Sequence, residues 1–105
     1  MRRIRILDQA KLDLKDEFDF YEDRDKNLGH SFLDALYSGI DSLAIYGGSH
    51  PISHGLHWML SKRFPYANHY LIEEDVIAVH AALDCRSDPK SIQKRTESER
   101  TRRWS

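Results

Sequence analysis

Apolar and polar positions follow first a period of two, then a helical period, then a period of two again. Ile4 and Ile6 stand on alternating positions and predict a first strand near Arg3 to Leu7. The spacing then lengthens. Leu7, Ala10, Leu14, Phe18 and Tyr21 fall on one side of a helix running to about Lys26, for which Asp8 offers an N-cap. Asn27-Leu28-Gly29 breaks that pattern, and Phe32, Leu36, Ile40 and Leu43 give a second helix its own stripe. Two antiparallel helices follow, closed by the loop Gly47-Gly48-Ser49-His50-Pro51. Their stripes read as faces buried against a sheet. Strands are expected at Leu56 to Arg63, Tyr66 to Glu73 and Val76 to Asp84. Asp88 then caps a short basic helix that opens on Pro89.

The hairpin makes a sharper prediction. If Glu74-Asp75 forms the turn and Glu73 lies opposite Val76, then Ile72 faces Ile77, Tyr70 faces Val79 and Asn68 faces Ala81 on the core side. His69 then lies directly across from His80 on the other face. Two imidazoles in contact could move protons near neutral pH. Two structural histidines satisfied by their neighbours fit the same pattern, and a slip of one residue separates them. His50, His54 and His57 also cluster, but they lack a Cys pair, a His-Glu-x-x-His helix or a carboxylate partner, so no metal is expected. Gly47-Gly48-Ser49 lacks the Lys and helix of a phosphate loop, and no cofactor is expected.

Composition and charge narrow the function classes. A chain of 105 residues, 40% hydrophobic and 31% charged, suits one compact domain. No apolar run reaches the roughly 20 residues of a membrane helix, and the start lacks the apolar stretch of a signal peptide, so a cytoplasmic protein with no membrane partner is expected. Cys85 is the lone cysteine and is expected to be small and buried. Sixteen basic against 17 acidic residues argue against a broad, nonspecific grip on nucleic acid. The distribution is uneven: residues 8–34 hold 4 basic and 9 acidic residues, a net of −5, and residues 86–105 hold 7 and 3, a net of +4. Solvated helix faces are the ordinary reading of both runs. After Gln93 the chain turns polar, as a helix extension or a tail.

The ordered set of Arg63-Phe64-Pro65-Tyr66, Tyr70 and Arg86/Asp88-Pro89, with the first strand, the Ala10/Asp13-Leu14/Phe18-Tyr21 pattern and Gly29/Phe32/Ile40, resembles the RelE/ParE toxins of bacterial type II toxin–antitoxin pairs. That resemblance covers nearly the whole chain. It implies an α+β domain over residues 1–95, β-α-α-β-β-β with a short C-terminal helix, two antiparallel helices packed on one sheet face, and a polar extension or tail over 96–105. It implies a cognate antitoxin as partner, and either DNA gyrase or the ribosome with its messenger RNA as target. Ribosome-dependent cleavage needs a base, an acid and cations for the phosphorane charge. His69 and His80 are the candidates for the first two roles. Lys62, Arg63 and Arg86, followed by Lys90 and Lys94, are the candidates for contacts to an anionic target. Two departures weigh against cleavage. Ala67 stands where a RelE-like toxin places an arginine just after the strand-opening aromatic, and Ile92 stands where the nucleases carry a tyrosine. The Arg-Phe-Pro-Tyr and Arg-x-Asp-Pro signatures look more like the ParE branch, which acts by binding. A toxin that has lost its activity and survives as a binding module is the third reading.

Overall fold

The computed structural model describes residues 2–101. Along the chain run β1 (Arg3–Ile6), α1 (Asp8–Arg24), α2 (Leu28–Tyr46), β2 (Ile52–Ser53), β3 (Leu56–Leu60), β4 (Tyr66–Glu73), β5 (Val76–Asp84) and α3 (Pro89–Arg100). The strands form one sheet in the order β1-β5-β4-β3-β2. β1 pairs parallel to its neighbour β5, and every other neighbouring pair is antiparallel. This is the expected α+β fold with one strand more. The addition is the two-residue β2, joined to β3 by a tight turn in which His54 and Gly55 both have positive φ, 52° and 88°.

The helical hairpin packs on one face of the sheet because its two apolar stripes meet the inward residues of β4 and β5. Ala10, Leu14, Phe32, Leu36, Ile40 and Leu43 from the helices are buried with Tyr66, Tyr70, Ile77, Val79 and Ala82. The two helices approach closely at Gly29, where a Cβ would stand 2.6 Å from the Phe18 carbonyl oxygen. Only glycine fits that crossing. The turn before it is held by Glu22, whose carboxylate accepts the N–H groups of Asn27 and Gly29 at 3.0 and 2.9 Å. Those bonds, led by the one from Asn27, hold the Glu22 carboxyl below its usual range.

Several local expectations need correction. Asp8 is the first residue of α1 rather than its cap; the cap position is the extended Leu7, which makes no side-chain bond. The same helix stops at Arg24, and Asn27 takes a left-handed conformation with φ 70°. β3 ends at Leu60, three residues before Arg63, because the chain bends through 62–65, where Pro65 has no N–H to give a ladder. Cys85 is exposed, since β5 ends at Asp84 and the thiol falls in the following loop. Asp88 does cap α3, accepting the Lys90 N–H at 3.1 Å, with Pro89 in the first turn. α3 continues past residue 95 to Arg100, with Thr96 and Glu99 buried. Residues 102–105 of the expected extension, including Arg102 and Arg103, lie outside the described residues.

Candidate functional site

The face of the sheet opposite the hairpin carries the two candidate histidines, and a bulge decides how they sit. Pairing runs as expected from Glu73↔Val76 to Tyr70↔Val79, then shifts by one residue, so His69 pairs with Ala81 and Asn68 with Ala82. The expected His69/His80 and Asn68/Ala81 pairs are therefore replaced. His80 is the extra residue, and beyond it the core-facing parity of β5 changes from Ile77 and Val79 to Ala82. His80 is fully buried, with Nδ1 3.5 Å from Oε1 of Glu99 on α3.

His69 occupies different ground. It lines a pocket of about 170 Å³ with Trp58, Ala67, Leu83, Cys85 and Ile92. Its Nδ1 is buried without a hydrogen-bond partner. Burial, aided by the positive charge of Arg95, pulls its pKa down to about 4, so the imidazole is neutral at physiological pH. Burial also raises the Cys85 thiol. Neither a carboxylate nor a guanidinium lines this pocket among the described residues. A base, an acid and a cation are thus not gathered in the pocket that His69 lines.

α3 is fastened over this face by a half-buried charge chain that sequence reading missed. Arg95 donates from Nη1 and Nη2 to both oxygens of Asp13 on α1, at 3.0 and 2.7 Å, and from Nε to Glu99 at 3.2 Å. Asp13 also accepts the Ala82 N–H at 3.0 Å, on the flank of β5 where the shorter β1 has already ended. Burial outweighs these contacts and leaves the Asp13 carboxyl above its usual range. A signal was present in the spacing: Ile92, Thr96 and Glu99 recur as one helical face, although two of the three are polar.

The cationic candidates gather at one end of the sheet. The β3–β4 and β5–α3 loops are joined there by the Cys85 N–H donating to the Pro65 carbonyl at 2.8 Å. Lys62 and Arg63 are exposed in the first loop, and among the described residues neither has an ion-pair partner. Arg86, in the second, donates from Nε and Nη2 to Asp84, both at 3.0 Å. That pairing raises Arg86 and lowers Asp84. Lys90 and Lys94 follow as exposed residues of α3. Beneath this end lies an aromatic cluster of Tyr21, Phe32, Phe64 and Tyr66, which explains the Phe-Pro-Tyr of the signature as packing. Tyr66 also donates its hydroxyl to Glu17, and burial with that bond raises its pKa far above normal.

The loop histidines do not form a ligand set. His50 Nδ1 lies 2.6 Å from the Tyr70 hydroxyl, and His57 stacks on the Tyr70 ring with centroids 4.9 Å apart. No group of three or more His, Cys, Asp or Glu among the described residues is placed to hold a metal ion.

Against known proteins, no family model and no curated protein matches the sequence. Solved structures do. A chain described as "Chromosomal ParDE TA system from P. aeruginosa" superposes with a TM-score of 0.63 at 17% identity, over 78% of this chain and 94% of that one. The fold is ParE-like. At this identity the likeness is one of architecture. No helix among the described residues is long and apolar enough to cross a membrane.

Proposed function

We propose that this chain is the toxin of a two-component toxin–antitoxin pair, acting in the cytoplasm by binding a target such as DNA gyrase and neutralised by a cognate antitoxin. The observation that carries the reading is the ParE-like fold, matched over nearly the full length of a chain from a ParDE system. Binding is preferred to RNA cleavage because the bulge replaces the expected His69/His80 pairing and both imidazoles are buried. Lys62, Arg63 and Arg86 at one end of the sheet, with Lys90 and Lys94 beside them on α3, are the proposed contacts to the target. Their support is their exposure and the bond joining the two loops.

Induced expression in bacteria tests this directly, with supercoiling by gyrase and integrity of messenger RNA measured in the arrested cells. Growth arrest with lost supercoiling and intact messenger is the expected result. Cleaved messenger on stalled ribosomes would replace it with the RelE-like reading, and normal growth would leave a binding module without toxin activity.

A further inference from the structure

The pocket that His69 lines follows from the strand register. Trp58 pairs with His69 and His69 with Ala81 in one cross-strand row, and Ala67 pairs with Leu83 in the next row on the same face. Ala67 offers only a methyl between larger neighbours, and the space of about 170 Å³ opens beside it. Ile92 lines the side toward α3, and the exposed Ser53 and Cys85 stand at the rim.

Three properties of this pocket select one class of occupant. The first is size. An apolar cavity of about 150 Å³ accepts benzene, so this one suits a single substituted ring. The second is charge. No carboxylate, ammonium or guanidinium lines it among the described residues, and Arg95 on the same helix is engaged with Asp13 and Glu99. A charged ligand would lose its hydration there without gaining a partner. The third is a single polar handle. His69 is only 7% exposed, and its Nδ1 is the one buried side-chain polar atom among the lining residues that has no hydrogen-bond partner. A neutral imidazole carries one N–H and one lone pair, and a hydroxyl can answer either because it both donates and accepts. Trp58 adds an aromatic wall.

We propose that the pocket binds a small neutral phenol, its ring seated beside Ala67 between Trp58 and Leu83 and its hydroxyl hydrogen-bonded to the His69 imidazole. The site uses none of the cations proposed for target contact and stands independently of the toxin reading. A ring in this place touches Ile92 of α3 and Ala67 of β4 together, so occupancy tightens α3 on the sheet and slows amide exchange along that helix.

The probes are p-cresol, toluene and 4-methylbenzoate, titrated into the full chain at neutral pH while amide and Trp58 indole shifts are recorded. The expected order is p-cresol about tenfold tighter than toluene, the worth of one hydrogen bond, with no binding of the benzoate. A merely apolar hole gives the reverse order, because burying an unpaired hydroxyl is unfavourable. Shifts should map to Trp58, Ala67, Leu83 and Ile92, and saturating p-cresol should slow alkylation of Cys85, the lone thiol of the chain. His69→Leu keeps the apolar walls and should make toluene the tighter ligand. Ala67→Leu fills the space and should abolish binding of both. The ligand order in the parent decides the case without either variant. Toluene binding as tightly as p-cresol, shifts away from these residues, an order unchanged in His69→Leu, or no shift at the solubility limit of p-cresol would each overturn the proposal. Tighter binding of N-acetyltyrosine amide than of p-cresol would replace the free phenol with a tyrosine side chain of a partner.

Discussion

His69 should make the protein acid-sensitive through its neutrality. In the native state its pKa is pulled to about 4, against an ordinary 6.5, chiefly by burial among apolar groups and secondly by the Arg95 charge. As pH falls through 6.5 the unfolded chain binds a proton at this position, and the folded chain does not until about pH 4. Stability contributed by His69 is therefore complete above pH 6.5 and lost progressively between pH 6.5 and 4. At about 1.4 kcal/mol per pH unit the loss amounts to roughly 3 kcal/mol. His69→Leu isolates it, because Leu suits the Trp58, Leu83 and Ile92 surroundings and removes a buried Nδ1 that has no partner. Asp13 contributes the opposite slope, since its raised carboxyl protonates first in the folded state. It is present in both proteins, as are His80, Glu99 and Arg95, so the difference between them belongs to position 69. Urea unfolding at half-unit pH intervals should find the variant within about 1 kcal/mol of the parent at pH 7. By pH 4 the parent should have lost roughly 3 kcal/mol more than the variant. A difference curve flat to within about 0.5 kcal/mol would show that the imidazole is solvated or paired, and the reasoning would fail.

Other consequences are as direct. Arg95→Ala takes the guanidinium away from Asp13 and from the fully buried Glu99, and should cost about 3–5 kcal/mol in urea denaturation. Adding Asp13→Ala should lower stability by less than the sum of the two single losses. Gly29→Ala forces a Cβ to 2.6 Å from the Phe18 carbonyl, and should cost about 1–3 kcal/mol with a Tm lowered by roughly 5–15 °C. Arg86→Glu, Lys90→Glu and Lys94→Glu together alter exposed positions and should leave a folded protein with weakened growth arrest. A folded triple variant with unchanged arrest and antitoxin affinity would remove this end of the molecule from the functional account.

Where local rules and tertiary packing agree, the chain is readable. β4 and β5 match their expected bounds because Pro65 and Glu74-Asp75 bracket alternating runs, and the stripe at Phe32, Leu36, Ile40 and Leu43 is buried as its spacing requires. Reading failed where a residue's partner is distant. Asp8 has the right side chain for a cap, but Leu7 N–H is already bound to Val79, which fixes the chain extended one residue earlier. β2 spans only Ile52 and Ser53, too short for alternation to register. Arg95 and Glu99 read as solvated helix charge because their partner Asp13 lies 82 residues away from Arg95.

The bulge at His80 is the least legible feature and the one on which the architecture turns. The local sequence Val79-His80-Ala81-Ala82 contains no glycine to mark it, and an unbroken ladder is the simpler reading. Yet an unbroken ladder would aim Ala82 at the α3 face. The extra residue instead returns Ala82 to the helical core and leaves its N–H bound to Asp13. Asp13 in turn anchors Arg95, and Arg95 holds Glu99 against the His80 that caused the shift. One extra residue in β5 thus joins α1, β5 and α3 in a closed chain of contacts. Deleting His80 should therefore do more than remove a histidine: it should restore the continuous register, withdraw the Ala82 N–H from Asp13 and release α3. Faster amide hydrogen exchange throughout α3 in the deletion variant, but not in His80→Gln, is the expected signature. Equal protection of α3 in both variants would mean that the helix is held by Arg95 and apolar contact without help from the bulge.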